Sequence, residues 1–306
     1  YHQLLAVLRE RNVTIMMVLH HFVNPSWFAA SGGWANQKNI AAWCDYAVKV
    51  VDEFGVYVKS WNTFNEPNLY ATMGYVLGQF PPYRKNFVIA RSIIKNMASA
   101  HDQIYEYIKK KFPDKPVGIS HNCAVFSALN IAGAPVARLA DQWYMEYIPS
   151  HFTKCDFLGI SYYARVSFDP FPITCLNAAQ KMKKLGMEHD DLWEYYPAGL
   201  AECIGRYWKK YKKPIIITEN GISTNDDNKR IKALRDYMTV IHTALESNID
   251  VRGYYHWSTW DNFEWTLGPT YRFGLYEVDL LTMERKRKPS ADLYARLAFS
   301  GILETD

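Results

Sequence analysis

The sequence predicts an α/β fold in which helices cover a parallel β-sheet. Short apolar stretches typical of buried strands alternate with amphipathic helical stretches throughout the 306 residues, and this order favours a parallel sheet. No linker, low-complexity tract or internal repeat interrupts the alternation. The pattern therefore indicates one domain, residues 1–306, of the (β/α)8 TIM-barrel type.

The predicted strands number fewer than a closed barrel requires. Six are predicted, near residues 13–19, 56–61, 117–120, 157–163, 214–218 and 251–257, whereas a barrel of this type has eight. The chain also opens on a helical pattern, so we expect the N-terminal part of the barrel to be absent, disordered or carried by another chain. An open doubly wound sheet is the competing interpretation. Against it, no glycine-rich nucleotide-binding motif follows any strand.

Helices are predicted where apolar residues recur at a spacing of three or four. The stripe of Ile40, Trp43, Ala47 and Val51 is one example, and we expect Gly55 to end its helix. The segment 169–191 has no clear period and contains prolines, so it is predicted as a loop with a helical turn. The predicted helices lie near residues 1–11, 40–54, 87–111, 134–147, 198–211, 229–247 and 290–299.

Composition excludes several classes of protein. A formal charge of +4 and two short basic runs do not favour a nucleic-acid-binding surface. No apolar run approaches the length of a membrane span and no signal peptide opens the chain, so we expect a cytoplasmic protein. The odd cysteine count, without a C-x-x-C pair, predicts free thiols and no zinc site. The five cysteines are Cys44, Cys123, Cys155, Cys175 and Cys203.

Two predicted strands run into a glutamate. Glu219 follows three consecutive isoleucines, and Glu66 follows the strand near 56–61. A strand-end glutamate bonded only to local backbone is the simpler interpretation of either residue alone. In a barrel, however, two such carboxylates would face each other across the mouth, where catalytic groups lie. Paired carboxylates hydrolyse glycosidic bonds, and no Asp or His clusters with these two to favour a metal site instead.

Both glutamates lie in motifs that resemble the signatures of glycoside hydrolase family 1, the β-glucosidase family. The resemblance covers nearly the whole chain and begins at the third strand of the family's barrel, which accounts for the six predicted strands. The matching stretches are Thr63-Phe64-Asn65-Glu66-Pro67, Thr218-Glu219-Asn220-Gly221, His20-His21-Phe22, Gly32-Gly33-Trp34, Asp156-Phe157-Leu158-Gly159-Ile160-Ser161-Tyr162-Tyr163, Trp257-Ser258-Thr259-Trp260-Asp261-Asn262-Phe263-Glu264-Trp265, Arg272-Phe273-Gly274-Leu275 and Lys288-Pro289-Ser290-Ala291.

The resemblance implies catalytic roles for three residues. Glu66 would be the general acid/base and Glu219 the nucleophile of a retaining double displacement, for which the two carboxyl groups lie about 5–5.5 Å apart. Tyr163 would donate a hydrogen bond to Glu219 and keep it ionised. No cofactor and no metal ion are implied.

The resemblance also implies a set of sugar contacts. Asn65 would bond the sugar 2-hydroxyl and His21 another glycone hydroxyl. Trp257 would form the floor beneath the ring, while Glu264 and Trp265 would bond hydroxyls at positions 3, 4 and 6. Because the Glu264-Trp265 pair is intact, a neutral sugar is expected in place of a 6-phosphosugar.

Four features depart from the family pattern. Ser161 stands where Asn is usual, and Trp260 where an aliphatic residue is usual. The stretch between the strands near 117 and 157 is short, which would open the aglycone rim. The family's first two strands supply a glycone-binding Gln and an Arg beside the nucleophile, and no residue here matches them by position. Trp34 and Trp260 could either border the aglycone or pack in the core.

Taken together, the sequence predicts a retaining exo-β-glycosidase that acts on β-glucosides, with β-galactosides as further candidate substrates. The alternatives are a sugar-binding barrel with little or no turnover, because the first strands are missing, and a transglycosylase that uses the same residues. The expected partners are a small-molecule β-glycoside and, if the barrel is split, a chain that supplies its first strands. No nucleic-acid or membrane partner is expected.

Overall fold

A computed structural model describes residues 1–169, 171–172 and 178–303, in which helices and strands alternate along most of the chain. The helices are α1 His2–Glu10, α2 Ser26–Ala30, α3 Asn39–Phe54, α4 Pro67–Ala71, α5 Phe87–Lys111, α6 Gly133–Asp141, α7 Ala178–Lys184, α8 Ala198–Tyr211, α9 Asp227–Glu246 and α10 Pro289–Ser300. The strands are β1 Met16–His20, β2 Ser60–Asn65, β3 Val117–Ala128, β4 Phe157–Asp169, β5 Phe171–Pro172, β6 Ile215–Asn220, β7 Val251–His256, β8 Tyr276–Val278 and β9 Arg285–Arg287.

The chain divides into two compact units. The first comprises Tyr1–Asn122 and Gln142–Gly159, and the second comprises residues 123–141 together with the chain from residue 160 onward. β3 and β4 each begin in the first unit and end in the second. Each unit has its own buried core, which includes Phe64 in the first unit and Tyr162 in the second.

The sheet of the first unit has the order β1-β2-β3-β4. β1 and β2 are parallel, with His20 opposite Phe64, and β2 and β3 are parallel, with Asn65 opposite Ser120. Parallel strands present their carboxyl ends at the same edge, so the residues that end β1 and β2 lie on one side of the unit.

β2 begins later than the sequence predicts. The apolar run suggested a strand over 56–61, whereas the observed strand is Ser60–Asn65. The first residues of the predicted strand instead form a turn after α3, in which the Tyr57 amide donates to the Phe54 carbonyl at 2.9 Å. This correction places Glu66 directly after the last residue of the strand.

The polar side chains of β2 can be buried because they are hydrogen-bonded. Asn62 Nδ2 donates to Ser120 Oγ at 2.6 Å, and Thr63 Oγ1 lies 2.6 Å from His101 Nδ1. The two β2 residues, Asn62 and Thr63, are almost fully buried. A buried polar group without such a partner costs roughly 1–3 kcal/mol, so these bonds permit a strand that apolar periodicity alone does not reveal.

Trp34 lies in the core of the first unit. Its side chain is fully buried and its ring packs against Trp43 and Phe64 at centroid distances of 5.5 and 5.3 Å. Its indole N–H donates to His20 Nε2 at 3.2 Å. Of the two interpretations left open for this tryptophan, core packing is therefore the one observed.

The sheet of the second unit has the order β3-β4-β6-β7. β6 and β7 are parallel, and Asn220 lies opposite His256 near their carboxyl ends. The backbone after Glu219 passes so close to β7 that a Cβ on Gly221 would lie 2.0 Å from the Trp257 carbonyl oxygen. Glycine is therefore required where the chain leaves the strand.

A buried cation joins the C-terminal helices of the second unit. Arg230 on α9 is 1% exposed and donates to Asp227 Oδ1 at 2.6 Å. Its other nitrogen donates to the carbonyls of Thr224 and Arg272 at 2.6 and 2.7 Å. Asp227 in turn accepts from the Ser290 hydroxyl at 2.7 Å. This network fixes the start of α10 to α9.

Several other elements differ from the predictions in length. The boundaries of α5 and α8 agree with the predicted ranges, whereas β3 and β4 continue beyond them. α6 ends at Asp141, and a π-helical stretch takes over from Gln142. α7 lies within the predicted loop, part of which falls outside the described residues. The β8–β9 hairpin was not predicted, because each strand is only three residues long and β9 is exposed throughout.

The cysteines of the described residues are free and buried. They are Cys44, Cys123, Cys155 and Cys203, whereas Cys175 lies outside the described residues. Within the same ranges no group of three or more His, Cys, Asp or Glu side chains could hold a metal ion. The helices described here are all too short or too polar to cross a bilayer.

Buried histidines predict a loss of stability in mild acid. Burial lowers the pKa of His20 to about 4 and that of His121 to about 3. The folded state keeps these rings neutral, while the unfolded chain protonates them below about pH 6.5. The free energy of unfolding should therefore fall as the pH drops from about 6.5 toward 4, by up to about 1.4 kcal/mol per pH unit for each ring.

Urea unfolding at pH 7, 6 and 5 measures this dependence. His121→Phe should flatten the slope, whereas His242→Phe, at an exposed position on α9, should leave it unchanged. Equal slopes in the wild type and in His121→Phe would show that the buried ring does not contribute.

Candidate functional site

Glu66 directly follows the last residue of β2 and has a backbone conformation that is uncommon for a glutamate. Its backbone is left-handed, with φ 47° and ψ 54°, and its side chain is only 3% exposed. Its amide donates to the Ser120 carbonyl at 2.8 Å, and Pro67 then begins α4. Left-handed non-glycine residues are rare and cluster at functional sites. The strand end therefore holds this carboxylate in a fixed place inside the first unit.

The Glu66 carboxylate is held by an amide that the sequence analysis missed. Asn122 Nδ2 donates to Glu66 Oε1 at 2.9 Å, and Asn122 Oδ1 accepts from the Tyr144 hydroxyl at 2.8 Å. Asn122 follows the apolar start of β3. A polar residue after a buried strand is the same signal that identified Glu66, so Asn122 could have been found in that way.

His21 and Asn65 lie together in the first unit. His21 Nε2 is 2.9 Å from Asn65 Nδ2. Burial, together with the neighbouring His20, lowers the pKa of His21 to about 4, so the ring is neutral near pH 7. Since the amide nitrogen can only donate, we assign Nε2 as the acceptor and the ring hydrogen to Nδ1.

Glu219 lies near the end of β6 in the second unit and is 9% exposed. The Tyr163 hydroxyl donates to Glu219 Oε2 at 2.8 Å. The Tyr163 ring packs against Trp193 and Phe273, at centroid distances of 5.2 and 6.2 Å. A phenol donor favours the ionised carboxylate, which is the form a nucleophile needs.

Glu264 lies beside Trp257 in the second unit. Its Oε2 accepts from Trp257 Nε1 at 3.4 Å and from Asn262 Nδ2 at 3.2 Å. Burial raises the pKa of this carboxyl, and the two donors partly offset the rise. Trp265 follows with a left-handed backbone, φ 46°. A buried carboxylate among indole rings is suited to bind donor groups such as sugar hydroxyls.

Two departures from the family pattern have different surroundings. Trp260 is 51% exposed, with the Arg285 guanidinium 5.6 Å from its ring centroid, so it is not a core residue. Ser161 is fully buried, and within the described residues its hydroxyl has no hydrogen-bond partner.

The structure thus brings the predicted residues into contact within each unit. Asn65 contacts His21 in the first, and Glu66 is the next residue along the chain. In the second, Tyr163 contacts Glu219 and Trp257 contacts Glu264. The expectation that Glu66 and Glu219 meet over one sugar concerns both units and stays a prediction.

Two buried carboxylates at the carboxyl ends of parallel strands, one bonded to an amide and the other to a phenol, are the kind of groups that glycoside hydrolases use. Comparison with known proteins gives the family. The family model described as glycosyl hydrolase family 1 matches residues 1–148 and 145–301. The chain belongs to this family and is a glycosidase.

Relatives with established names support this assignment. A β-galactosidase of Saccharolobus solfataricus is 28% identical over 99% of this chain and 70% of its own length. β-Glucosidase A of Thermotoga maritima is 27% identical over 99% of this chain and 77% of its own. The galactolipid galactosyltransferase SFR2 of Arabidopsis thaliana chloroplasts is 30% identical over 98% of this chain, which spans half of that protein.

Solved structures confirm the predicted fold class. A β-glycosidase from Pyrococcus horikoshii superposes with a TM-score of 0.88 and 29% identity, over 100% of this chain and 76% of that one. The β-glucosidase from Thermotoga maritima in complex with galacto-hydroximolactam gives a TM-score of 0.86 at 25% identity, over 99% and 78%. The chain thus has the α/β TIM-barrel fold of the family, over about three quarters of these structures.

Proposed function

We propose that this protein hydrolyses β-glucosides and β-galactosides with retention of configuration, with Glu219 as nucleophile and Glu66 as general acid/base. The observation that carries the proposal is the hydrogen bond from the Tyr163 hydroxyl to Glu219 Oε2, at 2.8 Å. It favours an ionised Glu219 at the end of a buried strand. The second carboxylate that a double displacement needs is Glu66, which directly follows a parallel strand and is buried.

In the first step, a Glu219 oxygen attacks the anomeric carbon and the bond to the leaving oxygen breaks. Glu66 gives its proton to that oxygen, so the aglycone departs as a neutral alcohol. In the second step, Glu66 takes a proton from water, the water oxygen attacks the same carbon, and the ester to Glu219 breaks. Both carboxyl groups then return to their starting protonation states.

The remaining predicted residues would bind the sugar. Asn65 would bond the 2-hydroxyl and His21 a second glycone hydroxyl, and the contact between them supports a shared place at the sugar. Glu264 and Trp265 would bond hydroxyls on the far side of the ring, over Trp257. The donors on Glu264 from Trp257 and Asn262 support an ionised carboxylate that accepts from a sugar diol.

The substrate class follows the relatives' names, in which both β-glucosidases and β-galactosidases occur. We therefore propose a neutral β-linked glucose or galactose as the glycone. An uncharged small-molecule glycoside is the proposed partner.

A mechanism-based label tests the nucleophile. A 2-deoxy-2-fluoro-β-glucoside with a good leaving group should inactivate the enzyme and add one fluoroglucosyl group to Glu219, because the fluorine slows the second step more than the first. Peptide mass spectrometry locates the label. NMR can monitor the sugar that is released first from a nitrophenyl β-glucoside. Release of the β-anomer would show retention of configuration. Labelling of another residue, or an α-anomeric first product, would contradict the proposal.

Transglycosylation is a second candidate, favoured by the relative named as a galactolipid galactosyltransferase. The same glycosyl-enzyme would then pass its sugar to an acceptor hydroxyl in place of water. Measuring transfer product against free sugar, at increasing concentrations of a galactosyl acceptor, separates the two reactions. Binding of the sugar without either product would favour a protein without turnover.

A further inference from the structure

We infer that Asn122 is a positioning residue for Glu66, which fixes Oε2 as the oxygen that carries the catalytic proton. The inference deepens the proposed function and rests on Glu66 being the acid/base. Its basis is the hydrogen bond from Asn122 Nδ2 to Glu66 Oε1, at 2.9 Å, within one compact unit.

The orientation of the Asn122 amide is set by its second partner. The Tyr144 hydroxyl lies 2.8 Å from Asn122 Oδ1 and can donate to it. A carboxylate can only accept when ionised, so the amide presents its nitrogen to Glu66 and its oxygen to Tyr144. The tyrosine is buried, at 6% exposure, which limits its freedom to reorient.

The backbone of Asn122 is fixed as well. Its amide donates to Asn68 Oδ1 at 3.1 Å, and its carbonyl accepts from Asn68 Nδ2 at 2.7 Å. Asn68 lies in α4, two residues after Glu66, and is fully buried. The strand carrying Asn122 and the segment carrying Glu66 are therefore joined twice, through side chain and backbone.

This geometry distinguishes the two oxygens of Glu66. A hydrogen on Oε1 would face the Asn122 N–H, so the acid form is favoured only with its hydrogen on Oε2. The hydrogen bond from the Asn122 side chain persists in the ionised and in the protonated form of Glu66, because Oε1 accepts it in each. Donation to the carboxylate also favours the ionised form, so Asn122 should hold the pKa of Glu66 below the value it would have without this donor.

The test is the pH dependence of kcat/KM in Asn122→Asp. The substitution keeps the shape but replaces the donor with a second carboxylate, which disfavours ionisation of Glu66. We expect the alkaline limb of the profile to move to higher pH by about one pH unit or more. Asn39→Asp makes the same change at another buried amide, bonded to Ser31 and the Gly33 carbonyl, and should not move the limb.

Tyr144→Phe provides a second variant, should Asn122→Asp fold poorly. Loss of the hydroxyl lets the amide turn over, so the alkaline limb should move in the same direction by a smaller amount. Both variants should lose more activity on an alkyl glucoside than on a dinitrophenyl glucoside, since only the former needs the proton. If Asn122 had a purely structural role, activity on both substrates would fall equally, and the alkaline limb of the pH profile would stay in place.

Two results would separate the inference from the proposed function. If Glu66→Ala shows the loss expected of an acid/base but folded Asn122→Asp and Tyr144→Phe keep the wild-type alkaline limb, the positioning role is wrong and the mechanism stands. If Glu66→Ala itself keeps full activity on alkyl glucosides, the proposed function fails first.

Discussion

Glu219→Ala is expected to lower kcat for nitrophenyl β-glucoside on the order of 10⁵-fold, a loss comparable to that on removing a covalent nucleophile. Azide fits the space left by the side chain and attacks the anomeric carbon from the same face. Activity should therefore return in part with added azide, and the product should be the α-glycosyl azide. Kinetics with NMR of the product measures both results.

The control for this variant is Glu277→Ala, the same substitution at an exposed position on β8. It should retain wild-type activity and should not respond to azide. Equal rates for wild type and Glu219→Ala would show that Glu219 takes no part in the mechanism. A β-glycosyl azide as the product would identify Glu219 as the acid/base in place of the nucleophile.

Glu66→Ala is expected to divide substrates by their leaving group. An alkyl β-glucoside needs a proton at its departing oxygen, so its kcat/KM should fall by about 10²–10⁴-fold. Dinitrophenolate departs from its β-glucoside without that proton. The first step with this substrate should therefore be nearly unchanged, and a glycosyl-enzyme should accumulate. Pre-steady-state release of dinitrophenol, seen as a burst, measures the accumulation.

Azide again separates the two carboxylates. In Glu66→Ala it should speed the second step and give the β-glycosyl azide, because it attacks the glycosyl-enzyme in place of water. A uniform loss across leaving groups, without a burst, would contradict an acid/base role. Glu277→Ala serves as the control here too.

Long amphipathic helices were the most predictable part of the fold. α5 and α8 lie where their apolar periodicity placed them, because a three-to-four spacing sustained over several turns has few other interpretations. Polar β2 was harder to place. Its Asn62 and Thr63 are buried only because partners elsewhere in the chain bond them, and those partners are not visible in a local pattern.

The candidate site shows the same division. Strand-end glutamates stand out in sequence because a carboxylate after a buried run needs a reason to be there, and the bond from Tyr163 to Glu219 was expected from the family motif. The hold of Asn122 on Glu66 was not expected. It depends on the register between β2 and β3, which includes an irregularity after Asn62 and cannot be read from composition.

The buried guanidinium of Arg230 limits how this protein can be engineered. Its positive charge is compensated by Asp227 and two carbonyls, and Ser290 completes the same network. Deleting one charged partner of a buried pair typically costs about 3–5 kcal/mol, a large part of the stability of an ordinary domain. Libraries designed to change substrate preference can therefore vary half-exposed Trp260, but they should leave the Arg230 network intact or most clones will be lost to misfolding.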